Sequence, residues 1–177
     1  MKNQSQLNQY FGEVWTGNNF NNYKLSGFAI ADKIAADEWV LDVGCGYNPF
    51  KGKIKNLIGI DPANDAADIK VTAEEFTPDR LFNVALCLGS VNFGEREDVE
   101  NQIACIVRHL TPTSRIYWRC NPGLTDHQND ECKVIPFYPW SIAEHVRLAE
   151  KFGFRLMECQ WDIIGNDHRR IYAEWYR

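Results

Sequence analysis

The chain reads as an α/β protein: a mostly parallel sheet with helices on both faces, closed by an antiparallel hairpin at its end. Three observations predict this. Short apolar runs at 39–43, 57–61 and 82–88 are continuous, as parallel strands covered on both faces require. Helical patterns at 95–110 and 141–153 follow them, and two further strand-like runs, 154–163 and 169–176, flank the turn sequence Gly165-Asn166-Asp167-His168. With 177 residues, 45% of them hydrophobic, there is enough apolar material for one core, spanning 23–177.

In chain order, residues 1–22 are rich in Asn and Gln yet carry Tyr10, Phe11, Trp15 and Phe20, a mixture that predicts a segment docked over a cleft. Leu25, Phe28, Ala29 and Ile34 are spaced for a helix that leads into the first strand, 39–43. Only ten residues separate Gly46 from Leu57, and they include Pro49 and Gly52. A parallel crossover usually takes about a dozen residues and a helix, so the first crossover helix is expected to be reduced to a turn. The second strand is 57–61, a short third is 69–71, and 82–88 is the fourth. In the helix at 95–110, Val99, Ile103, Ile106, Val107 and Leu110 share a face. Arg115 to Cys120 forms the fifth strand, stopped by Asn121-Pro122-Gly123. A long loop follows, and Ser141 with Glu144 three residues later forms a capping box for the last helix. The expected sheet has seven strands.

The chemistry concentrates in Val40-Leu41-Asp42-Val43-Gly44-Cys45-Gly46 and Leu57-Ile58-Gly59-Ile60-Asp61. An apolar run ends in an acid, a glycine pair opens a tight turn, and a second apolar run ends in another acid. Glycines at such a turn let backbone approach a bulky ligand. The second acid stands where one carboxylate can accept both hydroxyls of a ribose. The pattern describes a nucleoside-cofactor site at the carboxyl ends of two parallel strands.

These residues, and the order of elements over 23–176, resemble the class I S-adenosylmethionine-dependent methyltransferases, a Rossmann-like family. The resemblance implies S-adenosylmethionine as cofactor. Gly44 and Gly46 would lie beneath its methionine portion with Cys45 presenting backbone, Asp42 would hold the ammonium end, and Asp61 the ribose. It sets Thr72, Ala73 and Glu74 near the adenine, Thr72 replacing the usual acid. Leu88, by its carbonyl, and Gly89, by its missing side chain, would flank the sulfonium. Asn48 and Pro49 depart from the family pattern. With the following helix nearly absent, the cofactor carboxylate needs another partner, either loop amides at 46–50 or a side chain from the first 25 residues.

The acceptor side is less determined. A net charge of −5 argues against electrostatic capture of nucleic acid. The Asn/Asp-Pro-Pro-aromatic signature of base amino-methylases is missing after the fourth strand, which continues Leu88-Gly89-Ser90-Val91. A small-molecule or protein acceptor fits better. His127, in the loop after the fifth strand, is the candidate general base, its unperturbed pKa lying near neutrality. The same loop, 125–132, could instead be an ordinary polar connection or bind a divalent ion. His168 suits a turn. Six cysteines without a Cys-x-x-Cys pair argue for free thiols in a cytoplasmic protein and against a zinc site, so no metal is expected. No run approaches the ~18 apolar residues of a membrane span, and the amino terminus lacks the apolar stretch of a secretory signal. The competing reading is a non-catalytic nucleotide-binding or assembly protein that kept the fold. A nicotinamide dehydrogenase would need a third glycine at Pro49 and a helix directly after it.

Overall fold

The computed structural model describes residues 4–15, 23–123, 136–164 and 168–177. Among them, six strands form one mixed sheet: β1 (Trp39–Val43), β2 (Asn56–Ile60), β3 (Phe82–Leu88), β4 (Leu110–Cys120), β5 (Arg155–Ile164) and β6 (His168–Tyr176). Their order is β2-β1-β3-β4-β6-β5. The first four run parallel, whereas β6 pairs antiparallel with both β4 and β5. The carboxyl ends of β1, β2, β3 and β4 therefore meet along one edge, where Asp42, Asp61, Gly89 and Asn121 lie.

The sheet departs from expectation at 69–71. Only one bridge, Ile60 to Ile69, forms there instead of a strand. The Asp68 carboxylate takes the Gly59 N–H at 2.9 Å, while the Gly59 carbonyl accepts from the amides of Asp68 and Ile69. A side chain thus satisfies the outer edge of β2, which leaves a ladder little to pair with. Residues 44–55, between β1 and β2, are turns with a single bridge from Lys51 to Ile54. The paired part of β4 resumes at Arg115 after a register shift that accommodates Pro112, which has no N–H to donate.

The helices are α1 (Gln4–Gln9), continued as a wider turn over Tyr10–Val14, then α2 (Arg96–Val107) and α3 (Ile142–Lys151). Before β1 the chain forms a tighter 3-10 helix, Phe28–Lys33, where the spacing predicted an ordinary helix. Glu95 and Asp98 form a reciprocal capping box on α2. At α3, Ser141 Oγ accepts from the Glu144 N–H, but the Glu144 carboxylate turns away to Arg147 and Tyr138, so only half of the predicted box forms. One face of the sheet buries Leu41, Val43, Ala85, Cys87, Trp118 and Trp175 under α2 and α3. The other buries Val40, Val84, Leu86, Leu88, Tyr117 and Tyr172 under Ile30, Phe50 and Ile54. Alternation along the strands puts Asp42, Leu88 and Arg119 on this second face, at its carboxyl end.

Candidate functional site

The turn after β1 is built from left-handed backbone. Gly44, Gly46 and Asn48 have φ of 63°, 54° and 53°. A side chain at Gly44 would place its Cβ 2.3 Å from the Ser90 Cβ, so the turn packs directly on the segment after β3. Cys45, buried, donates its N–H to the Ile60 carbonyl at 3.0 Å. Gly46 donates to Asp61 Oδ2 at 3.0 Å. Asp61 Oδ1 in turn accepts from the amides of Ala63 and Asn64 at 2.8 and 2.9 Å. The second acid therefore joins the turn after β1 to the turn after β2. An ionised carboxylate offers about four acceptor positions, and three are occupied by backbone.

Asp42 is the opposite case. Its side chain lies inside the fold, 4% exposed, and no donor among the described residues reaches its carboxylate. Burial pushes its pKa up to about 7, with Arg119 opposing and Asp61 and Asp68 adding to the rise. A buried carboxylate without a donor is costly. This one sits beside the glycine turn and lacks a cationic hydrogen-bond partner among the described residues.

At the ends of β3 and β4, Arg119 organises the edge. Its guanidinium donates to the Leu88 carbonyl at 2.6 Å and to the Ser26 carbonyl at 3.1 Å, and it lies 4.2 Å from the Tyr23 ring centroid. Burial draws its pKa down to about 10, so it is charged at neutral pH. Segment 24–26 is held by Asp162 of β5, which accepts from the amides of Lys24, Leu25 and Ser26 and from Ser26 Oγ at 2.6 Å. Asn92 ties the two strand ends together. Its Nδ2 donates to the Gly89 carbonyl at 2.8 Å, and its Oδ1 accepts from the Asn121 N–H at 3.1 Å.

Of the residues expected near an adenine, Thr72 spends its hydroxyl and amide on Glu75, and Glu74 is exposed with its carbonyl bound by Arg108. Ala73 lies in the turn between them. Asn48 anchors the loop after the glycines, donating to the Ala66 carbonyl at 3.2 Å and to Asp68 at 3.4 Å. The amino-terminal segment reaches the same edge. Leu7 and Tyr10 are buried with Phe93 and Phe137. Trp15 stacks on Tyr47 at 5.5 Å and lies so close to Gly46 that a Cβ there would be 3.1 Å from its ring. The Tyr47 hydroxyl donates to the Trp15 carbonyl at 3.0 Å. His127 lies outside the described residues, as does the rest of the loop 124–135.

No protein-family model matches the chain, and no curated protein is detectably similar in sequence. Solved structures are similar in fold. The Burkholderia thailandensis 1,6-didemethyltoxoflavin-N1-methyltransferase, with 1,6-didemethyltoxoflavin and S-adenosylhomocysteine bound, superposes with a TM-score of 0.76 at 13% identity, over 99% of this chain and 89% of that one. A Leishmania major S-adenosylmethionine-dependent methyltransferase gives 0.71 at 12% identity over 98% and 82%. An N-methyltransferase from Bradyrhizobium japonicum, in complex with S-adenosylhomocysteine, gives 0.68 at 12% identity over 98% and 97%. The fold is that of the class I S-adenosylmethionine-dependent methyltransferases. On this methyltransferase fold, Asp42, Gly44, Cys45, Gly46 and Asp61 gather at the ends of β1 and β2, with Leu88 and Gly89 at the end of neighbouring β3.

Sequence reasoning did not single out Arg119, Asp162 or Asn92 as site residues. An acid at position 162 inside a strand, and an arginine one residue before the end of β4, were the available signals. Both are buried or partly buried charges that need partners.

Proposed function

We propose that this protein transfers a methyl group from S-adenosylmethionine to a small-molecule or protein acceptor. The observation that carries this reading is Asp42: a buried carboxylate with no donor among the described residues, beside a glycine turn, on a methyltransferase fold. An ammonium group such as the cofactor's methionine portion carries would supply the missing cationic donor. Asp61, with acceptor capacity left after its three backbone bonds, would take a ribose hydroxyl. Cys45 would present backbone there, Thr72, Ala73 and Glu74 would border the adenine, and Gly89 would leave room at the sulfonium. When bound, S-adenosylmethionine supplies an electrophilic methyl whose bond to sulfur breaks with the electron pair staying on sulfur. The chain's part is to hold donor and acceptor in line and to exclude water.

Residues 1–22 act in this reading as a lid, with Trp15 and Tyr47 closing over Gly46. His127 is the proposed base for any acceptor that must lose a proton. The protein is read as cytoplasmic. Among the described residues no helix is long and apolar enough to cross a membrane, and the cysteines described there are free thiols. Calorimetry with S-adenosylhomocysteine and with NAD tests the cofactor. Micromolar binding of the first and none of the second is expected, and the reverse would overturn the reading. Methyl release on a metabolite panel tests turnover. Tight binding with no transfer to any acceptor would favour a non-catalytic protein on the same fold.

A further inference from the structure

The ends of β3 and β4 carry two groups that the cofactor reading does not use. The first is the Asn121 side-chain amide. Asn121 is 3% exposed, and its Nδ2 is buried with no hydrogen-bond partner among the described residues. The residue itself is fixed, because its backbone N–H is held by Asn92, which also holds the Gly89 carbonyl. Buried donors are nearly always satisfied, so an orphan at this spot points to a ligand atom with a lone pair. The second group is Arg119. Its Nη2 and Nε would lie 3.7 and 4.0 Å from a Cβ built on Gly89, the residue that flanks the reacting centre in the methyltransferase reading. A partly buried guanidinium adds positive potential there, less screened than at a free surface and set against the carboxylates of Asp42 and Asp162. It favours an anion and raises the cost of an ammonium.

We infer that the acceptor is an oxyanion of the carboxylate or phenolate class, held by the Asn121 amide in the field of Arg119, and that protonated amines are excluded. This rests on the methyl-transfer reading and narrows its acceptor. An acceptor of this class arrives with its lone pair available, so no proton has to be removed before transfer. The Asn121 amide, a donor rather than a base, suits that role.

The full chain saturated with S-adenosylhomocysteine is titrated with benzoate, with 4-nitrophenolate at pH 8, and with benzylamine, which is protonated. Both anions are expected to bind at least tenfold more tightly than benzylammonium. Asn121→Asp, which replaces the donor with an acceptor of the same shape, and Asn121→Ala should each weaken anion binding by tenfold or more. Neither should change S-adenosylhomocysteine affinity by more than twofold, since the bond to Asn92 is made by backbone. A merely structural role for the side chain would instead move cofactor affinity and melting temperature together. Equal binding of benzylammonium, absence of anion binding, or anion affinity indifferent to both variants would overturn the inference while leaving the cofactor reading intact. Failure of the wild-type chain to bind S-adenosylhomocysteine would remove both.

Discussion

Binding of S-adenosylhomocysteine, which carries the same ammonium as the methyl donor, should release a proton from Asp42. In the free protein burial holds this carboxyl near pKa 7. An ammonium against it would return it to or below its ordinary range near 3.8. At pH 6 the free protein is then ~90% protonated at this group and the complex almost wholly ionised, so ~0.9 proton leaves per ligand bound; at pH 8 the figure falls to ~0.1. Affinity should rise about tenfold from pH 6 to pH 8 and level off above it. The sign for stability is opposite. A raised carboxyl pKa favours the fold while the group is neutral, and that contribution is lost as pH climbs from about 3.8 through about 7. The full shift corresponds to about 4 kcal/mol as an upper bound, at about 1.4 kcal/mol per unit. Asp42→Asn should therefore raise the melting temperature of the free protein at pH 8 while abolishing most ligand affinity. The assay is calorimetry at pH 6 in two buffers of different ionisation enthalpy, from which the proton count follows directly. No release at pH 6, or the same release in Asp42→Asn, would refute the assignment of Asp42 to the ligand's cationic end.

Asp61→Asn should weaken S-adenosylhomocysteine binding at least tenfold, about 1.4 kcal/mol, and also lower the melting point, because the same carboxylate joins two turns; unchanged calorimetric affinity would sink its ribose role. Trp15→Ala should cost affinity with little loss of stability, whereas deleting residues 1–20 also removes the buried Leu7 and Tyr10 and should lower both; a Trp15 variant that binds normally but melts far lower would make that ring structural. His145, enclosed by Trp118, Trp140 and Trp175, has both ring nitrogens without a hydrogen-bond partner among the described residues, and burial drives its pKa down to about 3. Stability should be full above about pH 6.5 and fall on acidification toward pH 3, by at most about 5 kcal/mol, since the unfolded imidazole takes a proton that the folded one refuses. His145→Phe should flatten that acid limb in urea titrations between pH 7 and 4, and an unchanged limb would assign the loss to other groups.

The strands were legible in the sequence wherever apolar runs were continuous and ended in punctuation. Val40–Val43, Leu57–Ile60 and Phe82–Leu88 are of this kind, and Asp42 and Asp61, at or near the ends of the first two, mark the carboxyl edge of the sheet without any knowledge of tertiary contacts. Ile69 to Val71 misled because β-branched residues advertise a strand regardless of what the neighbouring edge has left to offer; the Asp68 side chain had already taken the Gly59 amide. The helix predicted before β1 failed in a different way. Phe28 and Ile30 do face the core, but the stretch closes as a 3-10 helix over Phe28–Lys33. Arg119, Asp162 and Asn92 were invisible as site residues because each acquires its meaning from a partner far away in sequence. Arg119 meets Leu88 and Ser26, and Asp162 meets Lys24 to Ser26. No local pattern records such a meeting.

The grip of Asp162 on residues 24–26 has a consequence for the order in which the molecule is made. Segment 24–26 leaves the ribosome before the carboxylate that gathers its three amides, which is encoded 136 to 138 residues later. Until β5 has emerged, the Ser26 carbonyl is not held in place to receive Arg119, and Tyr23 has no fixed position over the guanidinium. The two glycine-turn strands can pair long before that. A nascent chain halted short of residue 162 would thus display the turns after β1 and β2 with the opposite wall still open, so that wall is completed only once β5 has been made.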